Sequence, residues 1–273
     1  MAVKIVKAGN RRFKLMPFGP SAGGKTTLAA TAQDHPDLSP VLFIDSDDGL
    51  LSIAARGDIA AEECKSIEDY ERILSRVAAG DPVYKDFKTI ITDSGSDMLE
   101  RALREEAALQ YDKAQKASRG DRKESYRQSQ DELFVRDYGT VTTRMKRLFD
   151  LACSLPKHTI ITSLAETHYP RIKNSKGEDV AGPEPDSIHP AFTAKLGRSM
   201  LALMDFVWYC YRREETGEDG KPKQDFCILT QEHGIFKAKT RGVKFPAALG
   251  RLVVNKKLPE IYDLLLQTEG GAA

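Results

Sequence analysis

The sequence has few cysteines, and their positions exclude the common roles of cysteine clusters. The four residues are scattered along the chain, with no C-x-x-C pair and no spacing typical of metal ligands: Cys64, Cys153, Cys210 and Cys227. This pattern excludes a cysteine-rich zinc module and a disulfide framework. We expect reduced, mostly buried thiols.

Long apolar runs are also missing. No stretch approaches the ~20 apolar residues that a membrane-spanning helix needs. The first 19 residues contain no apolar core of the kind that a secretory signal requires. We therefore expect no membrane association and a cytoplasmic location.

The chain carries no excess of charge of one sign. It has 41 Lys and Arg residues against 40 Asp and Glu residues, which gives a formal net charge of +1. Any surface that attracts nucleic acid must therefore be local. Helix-turn-helix and zinc patterns, internal repeats and clear linkers are all missing. We predict one domain over residues 1–267, with a polar insertion at about 110–131, a long loop at about 169–190 and a frayed tail at 268–273.

Apolar strands alternate with helical segments in what remains. Short apolar runs predict strands at 12–18, 41–45, 89–93, 159–164 and 205–212. Helical spacing or composition predicts helices after residue 24 and at 62–79, 97–109, 138–155, 191–203 and 258–267. Residues 225–230 and 235–240 are predicted to form a β-hairpin. The alternation predicts an α/β fold with a mostly parallel central sheet, helices on both faces and a C-terminal hairpin.

A phosphate-binding motif follows the first predicted strand. Residues 19–26 read GPSAGGKT and match G-x-x-x-x-G-K-[ST] between a strand and a helix, as the motif requires. Glycines let the backbone curl around phosphates, so that several N–H groups face the anion. Lys25 is predicted to reach the β- and γ-phosphates and Thr26 to ligate Mg²⁺. The predicted site for ATP and Mg²⁺ consists of Gly19, Pro20, Ser21, Ala22, Gly23, Gly24, Lys25, Thr26 and Thr27.

A phosphate-binding loop needs an acid at the end of a neighbouring buried strand to hold or orient Mg²⁺. Asp93 ends the run TIITD, and its rival Asp45 ends VLFID. We assign Asp93 to Mg²⁺ because it lies beyond an intervening strand–helix unit, the arrangement of NTPases that hydrolyse through an added strand. A carboxylate at the tip of the second strand could then activate or orient the attacking water. Asp47 is the first candidate, and Asp45 and Asp48 are the alternatives.

Two further features are candidates for contact with phosphate. Thr162 and Ser163 end the fourth predicted strand, where a hydroxyl can sense the γ-phosphate by hydrogen bonding. Downstream, residues 237–257 contain seven basic side chains and no acidic one: Lys237, Lys239, Arg241, Lys244, Arg251, Lys256 and Lys257. In a strand, positions 237, 239 and 241 share one face, so we predict either a solvated edge strand or a basic finger that meets phosphate, of a neighbour's ATP or of DNA.

The order of these segments resembles the core of RecA-like ATPases. FIDSDDGL, TIITDSGSDML, TIITSL, GRSMLALMDFVWYCYRR and KAKTRGVKFP follow one another as that family's strands and loops do. More narrowly, DYGTVTTRMKRLFD, HPAFTAKLGRSMLALMDFV and KAKTR resemble the small phage-encoded RecA-like NTP-binding proteins, which are linked to single-strand annealing and homologous recombination. The resemblance covers residues 13 to about 246. For a phage-encoded protein, the location is the cytoplasm of the bacterial host.

The resemblance implies roles for particular residues. Asp93 would be the acid of the Mg²⁺ site, and Asp47 would stand at the catalytic carboxylate position, where the family usually has Glu. Ser163, or Thr162 beside it, would take the strand-end sensor position. Lys239 and Arg241 would reach the γ-phosphate of a neighbouring subunit, which requires a homo-oligomeric ring or filament.

The same resemblance implies contact with single-stranded DNA through two segments. Residues 109–131 contain six basic residues against three acids, Asp112, Asp121 and Glu124, up to position 128, which gives +3. Residues 169–190 contain three basic residues against four acids, which gives −1. Because phosphate contacts dominate non-specific affinity, the first segment is the better candidate. Tyr111, Tyr126 or Tyr169 could add base stacking.

Three functions are compatible with these features. The first is an oligomeric RecA-like ATPase that binds single-stranded DNA and promotes annealing or strand exchange. The second is a small-molecule kinase, which would need an acceptor pocket and usually an Arg-rich lid. The third is a nucleotide-gated interaction module with little hydrolysis. Neither the preference between ATP and GTP nor the oligomer number is encoded in a motif.

Overall fold

The computed structural model describes residues 12–46, 49–121, 129–173, 178–216 and 222–269, with the backbone alone for 118–121. The strands are β1 (Lys14–Gly19), β2 (Val41–Asp45), β3 (Ala60–Glu63), β4 (Thr89–Asp93), β5 (His158–Ile161), β6 (Ser163–His168), β7 (Arg171–Lys173), β8 (Asp179–Ala181), β9 (Ser187–Pro190), β10 (Phe206–Thr216), β11 (Pro222–Leu229), β12 (Lys239–Thr240) and β13 (Leu252–Val254). The helices are α1 (Lys25–Ala30), α2 (Ile67–Ala78), α3 (Gly95–Asp121), α4 (Val135–Ser154), α5 (Ala194–Leu203), α6 (Phe245–Leu249) and α7 (Leu258–Glu269).

The centre of the sheet is parallel, with the order β10–β1–β5–β4–β2–β3. β5 therefore lies between β1, which leads into the phosphate-binding loop, and β4, which ends at Asp93. This is the added strand expected from the sequence. Since parallel strands end at one edge of a sheet, Gly19, Asp45 and Asp93 come to the same edge, where α/β proteins bind ligands.

Both faces of the sheet are covered by helices. Successive residues of a strand point to opposite faces, and on β1 Leu15 belongs to one apolar cluster while Met16 and Phe18 belong to another. The Leu15 cluster includes residues of α1, α6 and α7, and the other includes residues of α2, α3, α4 and α5. The predicted α/β fold, with a mostly parallel sheet between two helical layers, is confirmed.

The antiparallel hairpin is formed by other strands than those predicted. β11 pairs with the preceding strand β10, in a register that runs from Tyr209 opposite Leu229 to Thr216 opposite Pro222. The second predicted hairpin strand is reduced to β12, which also pairs with β10. β10 continues beyond its apolar run, and this extension pairs with β11, whereas β12 pairs with the start of β10, at Phe206 and Val207.

Two segments are more regular than their sequences suggest. The polar stretch after residue 110 is helical as far as Asp121, and α3 packs on α4. The buried residue among 111–117 is Ala114, whose small side chain gives a weak apolar signal. The segment 169–190 contains β7, β8 and β9. Its prolines precede β7, separate β8 from β9 or end β9, positions that strands tolerate.

The ends of two predicted helices also shift. α2 begins at Ile67 because the Ser66 hydroxyl accepts the Asp69 N–H at 3.0 Å as an N-cap, and residues 60–63 form β3 instead. α7 extends to Glu269, so the predicted tail at 268–273 starts inside it. None of the helices within the described ranges has the length and apolar character needed to cross a bilayer.

Candidate functional site

The loop between β1 and α1 has the close packing that its glycines allow. Gly24 has φ +86°, and a Cβ there would lie 2.6 Å from Cε2 of Phe226. A Cβ on Gly19 would lie 2.0 Å from the carbonyl oxygen of Cys210 on β10. A side chain at position 19 or 24 would therefore clash with neighbouring protein atoms, in addition to any phosphate that the loop receives.

Lys25 lies in the wall of a cavity of about 280 Å³, which we call the phosphate cavity. The side chain is 8% exposed, and Nζ donates to the carbonyl oxygens of Gly19 at 3.2 Å and Pro20 at 2.7 Å. These bonds hold the ammonium group inside the curve of the loop. The cavity is lined by residues 21–27, with Gly49, Ser52, Asp93, Ser94, Leu164 and Arg212.

The hydroxyl of Thr26 and the carboxylate of Asp93 are in direct contact. Thr26 Oγ1 donates to Asp93 Oδ2 at 2.8 Å, although the two residues are 67 positions apart in sequence. The other carboxylate oxygen, Oδ1, accepts a hydrogen bond from the Thr162 hydroxyl. Asp93 is 3% exposed, and among the described residues no Lys or Arg lies within ion-pair distance of it. A buried carboxylate with neutral partners is suited to hold a cation.

The backbone around Asp93 is fixed by a serine at the end of β2. Ser46 Oγ lies 3.2 Å from the carbonyl oxygens of both Asp93 and Ser94 and accepts the Ser94 N–H at 3.0 Å. Asp45 is opposite Asp93 in the register of β2 and β4 but does not line the phosphate cavity. Of the two rival acids, Asp93 is therefore the one that meets Thr26.

The residues fit both ATP and Mg²⁺. A triphosphate needs cations and backbone N–H groups, and the phosphate cavity combines the loop with Lys25 and Arg212. Mg²⁺ prefers oxygen ligands and takes few of them from protein. Thr26 and Asp93 supply such oxygens at the mouth of the loop.

The hydroxyls of Thr162 and Ser163 point in different directions, and that of Ser163 does not face the phosphate cavity. Ser163 is fully buried beside Phe18 of β1, its hydroxyl bonds to the Leu164 carbonyl at 3.0 Å, and it does not line the phosphate cavity. Thr162, its neighbour, contacts Asp93 instead because successive side chains point to opposite sides. Asp47 and Asp48 lie outside the described residues.

Lys239 and Arg241 lie at the end of the sheet opposite to the phosphate cavity of the same chain. The Arg241 N–H bonds to Asp205, whose own N–H bonds to Lys14 at the start of β1, ~16 Å of strand from Gly19. The Arg241 guanidinium donates to Asp205 Oδ1 at 3.0 Å and to the Ala202 carbonyl at 2.7 Å. Lys239 donates to the Leu201 carbonyl, and burial, together with the charge of Arg241, lowers the pKa of Lys239 to about 8.

These contacts engage the cations of the predicted basic finger within their own chain. Both cations are bound to atoms of their own chain, and Lys237, the third member of the proposed face, is paired with Glu232 at 2.5 Å. The short strand β12 does not extend to Lys237, so the shared face is not formed. Contact with a neighbouring subunit's phosphate would require the bonds of Lys239 and Arg241 to break.

Sequence reasoning missed three residues of the site: Ser46, Arg212 and Phe226. A serine after a strand is too common to stand out. Arg212 and Phe226 reach the loop only through the β10–β11 pairing, in which they are directly opposite each other. The one available signal was an arginine two residues beyond the buried part of a strand.

A family model described as an AAA domain matches residues 11–242 of the chain, a span that contains the loop, Asp93 and Arg212. No curated protein matches the sequence. A solved structure described as the crystal structure of the RadB recombinase is similar at 13% identity, covering 88% of this chain and 86% of that one, with a TM-score of 0.42. At that level the similarity supports no assignment of activity or partner.

Proposed function

Because the chain belongs to the AAA domain family, we propose that it binds ATP with Mg²⁺ at the loop of residues 19–27 and hydrolyses it. One observation carries the proposal above all others. The hydroxyl that follows the loop lysine and the acid that ends β4 are hydrogen-bonded at 2.8 Å, although they lie 67 positions apart in the sequence. A chance glycine-rich turn does not require such a pair.

Each residue has a defined task in this proposal. The loop N–H groups and Lys25 bind the β- and γ-phosphates, and Thr26 and Asp93 hold the metal, with Thr162 and Ser46 fixing the acid. When bound, Mg²⁺ supplies positive charge to the β- and γ-phosphate oxygens. Asp47 stays the proposed residue for orienting the attacking water, since it follows β2 closely.

Beyond ATP hydrolysis, we propose that ATP controls the binding of this protein to single-stranded DNA, in annealing or recombination. Its support is local charge. Lys113 and Lys116 are exposed on the distal half of α3, in the segment with a sequence charge of +3. In the other segment, Tyr169 is 48% exposed and Arg171 is exposed, but Lys173 is 3.9 Å from Asp179. Charge therefore favours α3 as the DNA-binding segment.

Charge-reversal variants test this choice. Binding of an oligodeoxythymidylate should weaken with salt, with a log–log slope of roughly 0.7 per phosphate contact. We expect the pair Lys113→Glu and Lys116→Glu to reduce that slope by about 1 or more. The matched pair Arg171→Glu and Lys173→Glu should leave it nearly unchanged. Equal slopes in all proteins would contradict the assignment to α3.

Assembly into a ring or filament, with Lys239 and Arg241 acting on a neighbour, is a separate proposal. It rests on the resemblance and on the partial exposure of Arg241, whose side chain is 44% exposed. Its test is the dependence of ATP turnover on protein concentration. A rate per chain that rises steeply in the wild type, and no longer does so in Arg241→Ala, supports it. A concentration-independent wild-type rate contradicts it.

A small-molecule kinase is the second candidate, because a cavity of about 490 Å³ adjoins the phosphate cavity. The two share Ser94 and Leu164, and the larger one also contains the carboxylates of Asp97, Glu100 and Glu166. Such a cavity could hold a phosphoryl acceptor. The products of turnover distinguish the candidates: release of inorganic phosphate without any acceptor supports an ATPase, whereas turnover that requires an added metabolite supports a kinase.

A further inference from the structure

The strand beside β1 continues beyond the phosphate-binding loop. β10 pairs with β1 as far as Tyr209, opposite Phe18, and then runs on to Thr216 in an antiparallel pair with β11. We call residues 210–216 and 222–227 the arm. The carbonyl of Cys210 is so close to the loop that Gly19 and Gly23 have no room for a Cβ. The arm is therefore a wall of the site.

Arg212 is the side chain that the arm directs at the site. Trp208 and Cys210 are buried in the cluster that contains Leu28 of α1. Since side chains alternate along a strand, Arg212 points to this same side, ~6.6 Å further along the arm. It is exposed and lines the phosphate cavity together with Gly24 and Thr27.

A second cavity, of about 420 Å³, lies between α1 and the arm. Gly24, Thr27 and Arg212 belong to its wall as well as to that of the phosphate cavity, so the two spaces meet at Arg212. The ring of Phe226 and the side chain of Leu28 give the second cavity apolar surface, and Gln224 adds an amide. Its wall thus combines an aromatic ring with a hydrogen-bonding group.

Arg212 and the next residue, Arg213, differ in whether a carboxylate is paired with the guanidinium. One N–H of the Arg212 guanidinium donates to Gln224 Oε1 at 3.0 Å, and no carboxylate of the described residues is within ion-pair distance. Arg213, on the other side of the arm, lies 2.9 Å from Glu215 and 3.7 Å from Asp225. Arg212 therefore brings a cation with no carboxylate partner among the described residues to the cavity that Lys25 also lines, and such a cation attracts an anion.

We propose that Arg212 contacts the phosphates of a nucleotide bound in its own chain, and that the cavity containing Phe226 receives the nucleoside of the same molecule. The inference rests on the proposed binding of a nucleoside triphosphate at residues 19–27. Under this proposal one chain supplies both the contact of Arg212 with phosphate and the cavity for the nucleoside, whatever the assembly. Phe226 supplies a ring on which any base can stack, and the guanidinium supplies donors in a fork that matches phosphate oxygens.

Two probes separate the parts of the proposal: ATP, and inorganic tripolyphosphate, which lacks the nucleoside. Affinities are measured calorimetrically with Mg²⁺ present. Arg212→Ala should weaken both by a similar factor, roughly 10- to 100-fold. Phe226→Leu, which keeps apolar packing against Gly24, should weaken ATP by roughly 10-fold and leave tripolyphosphate unchanged. The control Arg213→Ala should alter neither affinity.

Mixing two variants tests whether Arg212 acts within its own chain. Lys25→Ala keeps Arg212, and Arg212→Ala keeps the loop, so an equimolar mixture should show no recovery of affinity beyond that of Arg212→Ala alone. Recovery would mean that Arg212 acts between chains and would overturn the proposal. Wild-type affinities in Arg212→Ala would overturn it while leaving the proposed function intact. Failure of the wild type to bind either probe would instead refute the proposed function.

Discussion

Replacing Thr162 by valine removes one hydroxyl from a position with no solvent exposure. Asp93 Oδ1 then loses its donor, and Asp93 itself is only 3% exposed. Hydrogen bonds to charged groups contribute roughly 1.5–3 kcal/mol. We therefore expect the free energy of unfolding of the nucleotide-free protein to fall by about 2 kcal/mol, measured by urea denaturation. Thr162→Ser, which keeps the hydroxyl, should recover most of this loss.

The same substitution should affect the metal. Removing a group that orients a metal ligand typically costs 10- to 100-fold in metal affinity or activity. We expect the Mg²⁺ concentration for half-maximal ATP hydrolysis to rise in Thr162→Val by roughly that factor. A residue that only sensed the γ-phosphate would lower the maximal rate and leave both the stability of the free protein and the Mg²⁺ requirement unchanged.

Thr159→Val is the matched control for this experiment. Its hydroxyl is equally buried and donates to the Ala152 carbonyl at 3.0 Å, away from Asp93. We expect a loss of stability of about 1 kcal/mol and a normal Mg²⁺ requirement. Wild-type stability and a wild-type Mg²⁺ requirement in Thr162→Val would refute the positioning role of Thr162.

Three further outcomes are expected. Lys25→Ala should abolish ATP binding while the circular dichroism spectrum stays native, and unchanged affinity would be incompatible with the site. His158 is buried, which lowers its pKa from 6.5 to about 4, and its Nδ1 accepts the Phe13 N–H. The unfolded chain therefore binds the extra proton, so stability is lost as pH falls from 6.5 to 4, by about 3 kcal/mol relative to His158→Gln. An equal pH dependence of stability in the wild type and in His158→Gln would contradict the lowered pKa of His158. Arg241→Ala should lower the free energy of unfolding by about 2 kcal/mol through loss of the bond to buried Asp205, and unchanged stability would show that the bond is not formed in solution.

The central strands could be predicted because their physics is local. β2 and β4 have the bounds given by the apolar runs at 41–45 and 89–93, since a strand buried on both faces must be apolar throughout. The phosphate-binding loop could be found because glycine spacing, lysine and threonine form a specific pattern. Asp45 and Asp93 both end buried strands, and Asp93 could be preferred because it lies beyond an intervening strand–helix unit.

The parts of the fold and the site that could not be predicted depend on contacts between distant parts of the chain. Thr162 and Ser163 lie where β5 ends and β6 begins. Because side chains alternate, a shift of one residue would exchange the hydroxyl that faces the site. Arg212 reaches the loop because β10 extends past its apolar run, and that extension is stabilised by pairing with β11. From residue 107 onward, the buried residues described in α3 are Ala107 and Ala114, and composition alone does not distinguish such a segment from a polar loop.

The most direct test of the central claim is ATP binding by the wild type, Lys25→Ala and Asp93→Asn, each measured with Mg²⁺ and with EDTA. The Asp93→Asn substitution keeps the size of the side chain and removes its charge. We expect tight, Mg²⁺-strengthened binding by the wild type and none by Lys25→Ala. Asp93→Asn should bind with the wild type's metal-free affinity under both conditions. Equal, Mg²⁺-strengthened affinities in all three proteins would contradict the assignment of the nucleotide and metal site.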